Sequence, residues 1–142
     1  MKCAFFGHHD APTDIQSNLH AAITELIVSH GVTNFYVGNQ GNFDFAVRKV
    51  LAQLKQVYPI ECMVVLAYLP SEQPTADYDG FETIFSEGTE HVPPRFAISR
   101  RNRWMVSQAN YVVTYVKHSF GGAAQYKAMA ERQGKHVIEL AP

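Results

Sequence analysis

Two glycine-bearing turns carry the residue types that grip anions. Gly38-Asn39-Gln40-Gly41-Asn42-Phe43-Asp44 follows the apolar run Phe35-Tyr36-Val37, and Ser119-Phe120-Gly121-Gly122 follows Tyr111-Val112-Val113-Thr114-Tyr115-Val116. In each, a helical pattern begins where the glycines end. Glycine has no Cβ, so backbone N–H groups at such a helix start can approach a phosphate closely. The plain alternative is tight strand-to-helix packing with no ligand. A third turn, Gly7-His8-His9-Asp10 after Cys3-Ala4-Phe5-Phe6, adds an imidazole able to donate to a phosphate or hydroxyl, or to pack on a neighbour. Arg100-Arg101-Asn102-Arg103 contributes guanidinium groups suited to bidentate phosphate or carboxylate recognition. Helical spacing sets Arg101, Met105 and Gln108 on one face, with Arg100 and Arg103 as solvated flanks. Asp44 reads either as the N-cap of the following helix or as an acid/base group.

Other chemistries find less support. The Gly38–Asp44 turn is not GxGxxG and no acidic residue stands where ribose binding would need it, so dinucleotide binding is weakly indicated. Adjacent His8 and His9 are poorly placed to chelate one ion, and no second ligand cluster exists in the sequence, so no metal is expected. There is no G-x-S-x-G elbow for a Ser–His–Asp hydrolase. Cys3 and Cys62 begin apolar strand candidates with no CxxC spacing and are expected to be reduced core residues. Trp104 reads as a core anchor before a stacking platform. No cofactor is implied.

The elements that must position these groups are well punctuated. Strands are predicted near 2–6, 33–37, 61–69, 110–116 and 136–140, alternating with helical patterns. Thr13 as N-cap with Gln16 at the capping-box position opens the first helix, and Gly31 stops it. A second helix runs from Asn42 or Asp44 to Val57, a third ends near Ala109, and a last one runs from Gly121 or Gly122 to Gly134. The alternation predicts an α/β fold: a doubly wound, mainly parallel five-stranded sheet with helices on both faces. In such a sheet the turns at the strand carboxyl ends share one edge. The three glycine turns, the Pro70 break after 61–69 and Arg101 should therefore converge on one crevice.

The segment from Ser71 to Pro94 holds six acidic residues and no Lys or Arg. Tyr78, Phe81, Ile84 and Phe85 predict a short amphipathic helix there, in an excursion that is either a lid or a plain surface connection. The chain has 142 residues, 46% hydrophobic and 18% charged, which fits one globular domain over 1–142. A net charge of -1 exerts no global pull on nucleic acid or an anionic membrane, so neither is an expected partner. No apolar run approaches the ~20 residues of a membrane span, and the start lacks the length of a signal peptide; a cytoplasmic location is expected.

Taken in order, Cys3–His8, Phe35–Asp44, the strand ending at Pro70, Arg101-Asn102-Arg103-Trp104-Met105 and Gly121-Gly122 resemble the SLOG superfamily. The likeness is nearest to its short bacterial branch related to the YpsA-type proteins. That superfamily also includes the "lonely guy" phosphoribohydrolases and the DNA-processing protein DprA. The resemblance implies a Rossmann-like fold binding a nucleotide or nucleotide-derived small molecule at the strand carboxyl ends, as a sensor or ligand-binding module. It implies ligand-binding roles for Gly7, His8, Gly38, Gly41, Asp44, Arg101, Asn102, Gly121 and Gly122, and a homodimer or larger assembly. Two alternatives stand beside it: an N-glycosidic hydrolase or transferase acting on nucleotides, with Asp44 catalytic and His8 assisting, and a DprA-like DNA-interacting module. The chain departs from the pattern at His9 and Asn39. It also carries Ala124, Gln125 and Ala128 where the phosphoribohydrolases have a Gly-Thr pair and then a catalytic Glu.

Overall fold

Along each apolar run, successive side chains alternate between two buried clusters, the mark of a sheet covered on both faces. Cys3, Phe5, Phe35, Val37, Cys62, Val64, Leu66, Val113 and Tyr115 face one cluster. Ala4, Phe6, Tyr36, Val65 and Val112 face the other. The computed structural model describes residues 1–67, 80–85 and 93–142. In chain order these form β1 (Lys2–Gly7), α1 (Gln16–His30), β2 (Asn34–Val37), α2 (Gly41–Lys55), β3 (Glu61–Leu66), β4 (Glu82–Phe85), α3 (Pro94–Gln108), β5 (Tyr111–Tyr115), α4 (Gly122–Arg132) and β6 (His136–Glu139). The strands make one six-stranded sheet in the order β4-β3-β2-β1-β5-β6. Every pairing is parallel. The fold is α/β and Rossmann-like.

Two expectations need correction. The sheet has six strands, not five. The sixth, β4, lies inside the acidic segment where Phe81, Ile84 and Phe85 suggested a helix; pairing of Glu82–Phe85 with Met63–Leu66 overrides that local spacing. Tyr68, Leu69, the Pro70 break, Tyr78 and the remainder of 71–79 and 86–92 fall outside the described residues. Thr13 does not cap α1. Extended Pro12 leads into a 3-10 turn over Thr13–Ile15 that buries Ile15, and α1 starts at Gln16 without a side-chain cap. Gly31 is the left-handed stop its position predicted, at φ 67.

α1 and α2 pack on the first cluster, α3 and α4 on the second. The chain leaves β4 at one edge and re-enters the sheet at β5, beyond β1. The connecting α3 therefore crosses the intervening strands and touches both β3 and β1. That crossing carries Arg101 over the strand ends. β1 is flanked by β2 on one side and β5 on the other, so the sequence-order reversal falls between β1 and β5. In open α/β sheets the crevice at such a reversal is where ligands sit. Both cysteines are free and buried. No helix among the described residues is long and apolar enough to cross a membrane.

Candidate functional site

A cleft of about 440 Å³ opens at the carboxyl ends of β1, β2 and β5. Gly7, His8, Gly38, Asp44, Arg101, Asn102, Gly121 and Gly122 all line it, so eight of the nine expected binding residues converge. The ninth, Gly41, lies beneath. A Cβ there would fall 2.5 Å from His9 Cα, and the residue sits at φ 85. The Asn42 N–H then donates to the His9 carbonyl at 2.7 Å, which ties the start of α2 to the turn after β1.

The glycines divide by what occupies their missing side chain. A Cβ on Gly7 would stand 2.2 Å from Phe43 Cγ, so this residue lets α2 pack against the end of β1. At Gly38 it would stand 2.6 Å from Asp44 Oδ2 and 3.1 Å from Arg101 Nη1. The carboxyl and guanidinium groups therefore press on that backbone from the protein side. Gly121 and Gly122 differ: nothing stands within 4 Å of either Cβ position. Gly121, at φ 93, precedes the first turn of α4. Helix N–H groups there have no intrahelical acceptor and carry the positive end of the helix dipole.

Arg101 is a buried hub, 3% exposed. Its Nη1 donates to the Val65 carbonyl at 3.0 Å and to Asn39 Oδ1 at 3.5 Å, and its Nε donates to Asn102 Oδ1 at 2.6 Å. Asn102, which also lines the cleft, is oriented by that bond. Asp44 is the fourth residue of α2 and not its N-cap, which is Gln40. Its Oδ2 accepts the Gln40 N–H at 3.1 Å. Burial pushes the Asp44 carboxyl up to about 6, against that hydrogen bond and the positive charges of Arg101 and Arg48. Arg48 Nη1 meanwhile holds the Gly38 carbonyl at 3.2 Å.

His8 Nε2 accepts the Lys117 N–H at 2.9 Å, so the neutral ring carries its proton on Nδ1. Burial holds its pKa below the ordinary value, reinforced by His118 and opposed by Asp10 and Glu139. The ring lies 4.9 Å from His118, whose own ring stacks on Phe120 at 5.0 Å and 15°. Glu139 braces this wall from behind. It accepts from Val116 N, Ala141 N, Thr114 Oγ1 and Lys127 Nζ, all within 2.9 Å. Burial alone would raise its carboxyl, but these bonds outweigh burial and hold it below its ordinary value.

The sequence placed Phe120 in the turn before the paired glycines without giving it a role and left His118 unmarked, since both sit in a loop without periodicity. The usable signal was an aromatic residue directly before Gly121-Gly122. Trp104 packs edge-on to Tyr36 at 5.4 Å, on the α3 side of the sheet. No metal-holding group of His, Cys, Asp or Glu occurs among the described residues. A second hollow of about 380 Å³ lies near the amino ends of β5 and β6, lined by Ala22, Leu26, His30, Tyr111, His136 and Ile138 among others.

The cleft thus brings together a helix start, the Asn102 amide, the His8 imidazole and the Asp44 carboxyl, pushed up to about 6. No protein-family model matches the chain. No curated protein sequence matches it either. Its fold is similar to that of DNA processing protein A (DprA) from Streptococcus pneumoniae: TM-score 0.68 and 16% identity, over 97% of this chain and 49% of that one. The chain spans about half the length of that structure.

Proposed function

We propose that this chain is a nucleotide- or nucleotide-derivative-binding domain of the SLOG type, from the short branch related to YpsA-type proteins, acting as a sensor or ligand-binding module. The observation that carries this reading is the open space at Gly121 and Gly122. The other glycines of the cleft are accounted for by protein packing, whereas these two have open space where a Cβ would stand, at a helix start that lines the same cleft as Asn102 and His8. An anionic group seated there receives N–H donors at close range. Arg101 supplies positive charge from within the wall and fixes Asn102. Thermal melts with nucleoside mono- and diphosphates, ADP-ribose and nucleotide sugars test it: stabilisation by at least one is expected, and none by any defeats the reading.

A second reading, cleavage or transfer at an N-glycosidic bond, is favoured by Asp44 alone. A carboxyl pushed up to about 6 can hold a proton close to neutral pH and deliver it to a leaving base. Release of free base from nucleoside monophosphates, abolished by Asp44→Asn, supports this; release unaffected by that substitution removes Asp44 from the chemistry. The likeness to DprA brings DNA interaction as a third outcome, against which stands the net charge of -1. Low-salt gel shifts with single-stranded DNA decide it.

A further inference from the structure

Phe120 is the one large hydrophobic residue among the described residues that is both strongly exposed and part of the cleft lining. It is 71% exposed, whereas the other exposed apolar side chains, Met1, Val28, Phe45, Val57 and Phe96, lie outside the cleft. One face of its ring is backed by His118, which contacts His8 in turn. The His8 ring accepts the Lys117 amide N–H, and the His8 backbone N–H donates to the Tyr115 carbonyl at 3.2 Å. His8 meets His118 at a tilt of 36° and His118 stacks on Phe120, so the three rings run in a row from the sheet end, with the outermost exposed to solvent in the cleft lining. An aromatic face held this way loses little conformational freedom when another ring settles on it.

We propose that Phe120 is the platform for a planar heteroaromatic ring of the ligand, so that the cleft selects anions carrying a nucleobase over bare sugar phosphates. This rests on the reading that the anionic group sits at the start of α4. Phe120 precedes Gly122 by two residues, so their Cα atoms are at most about 7 Å apart. A ribose bridges that interval between a phosphate at the helix start and a base on the ring. Stacking recognises the π-face that all bases share, so discrimination among bases is weak and discrimination against ligands lacking a base is strong.

Calorimetric titration of the full chain with AMP, GMP, CMP, UMP and ribose 5-phosphate tests this, using the wild type, Phe120→Ala and Phe120→Trp. Wild type should bind the nucleotides more tightly than ribose 5-phosphate. In Phe120→Ala that advantage should shrink roughly fivefold to a hundredfold, the range of one base–aromatic stack. Phe120→Trp should retain it, with indole fluorescence quenched by nucleotides and not by ribose 5-phosphate. Nucleotide preference intact in Phe120→Ala, or a substitution that alters only self-association, overturns the platform and leaves the anion site standing. Absence of binding by every probe to the wild type overturns the anion site, and the platform with it.

Discussion

Replacing Asp44 with Asn should make the protein more stable near neutral pH, because the wild-type carboxylate is held where burial disfavours its charge. The carboxyl is raised from 3.8 to about 6 in the folded chain. Folded Asp44 thus keeps its proton where the unfolded chain has lost it, and stability falls as pH rises from about 3.8 to about 6, then levels off. A gap of about two pKa units corresponds to ~3 kcal/mol at about pH 7.5, shrinking to ~0.5 kcal/mol near pH 4. Asparagine has the shape of the protonated acid, and its Oδ1 can still accept the Gln40 N–H, so it should recover most of that difference. For a chain of this size the gain amounts to a rise in Tm on the order of 10 °C. Urea unfolding of wild type and variant at the two pH values is the assay. Glu139 and other groups also titrate, but they are common to both proteins and cancel in the comparison. An Asp44→Asn protein less stable than wild type near pH 7.5, or a stability gap equal at both pH values, refutes the reasoning.

Three further outcomes follow from the geometry. Gly122→Glu should fold with unchanged or slightly raised Tm, since its Cβ meets open space and an acidic residue suits a helix start, yet should lose nucleotide stabilisation through charge repulsion; retained stabilisation in melts contradicts the site. Gly7→Ala should destabilise by about 1–3 kcal/mol in urea, because the new methyl overlaps the Phe43 ring. Glu139→Gln should destabilise by about 1–3 kcal/mol near neutral pH. Its lowered pKa means that stability is present above the ordinary 4.5 and lost as pH falls through the folded value. The gap between wild type and this variant should therefore narrow on acidification, as for Asp44→Asn, but with the wild type the more stable of the two.

What could be read from sequence was what depends on local pattern. Runs such as Cys3–Phe6 and Tyr111–Tyr115 are apolar on both faces because helices cover both, and their alternation with helical patterns signals a parallel sheet. The glycine breaks after β1, β2 and β5 located the cleft because parallel topology forces those turns to one edge. β4 was hidden: Phe81, Ile84 and Phe85 fit a helical spacing, and only the edge of β3 makes them a strand. The division of the glycines was also invisible, since it depends on Phe43, His9 and the Asp44–Arg101 pair arriving from elsewhere. Arg101 read correctly as inward-facing, but its tie to the Val65 carbonyl is a long-range fact. The ring stack escaped notice for the same reason, His8 and His118 being far apart in the chain.

Backbone amide shift mapping during titration with AMP probes the anion site most directly. The largest displacements are expected at Gly121, Gly122 and Ala123, with smaller ones at His8 and Asn102. Amides of the first turn of α4 that stay still while those of Leu26, His30 and Ile138 move would place the ligand in the opposite hollow and contradict the site.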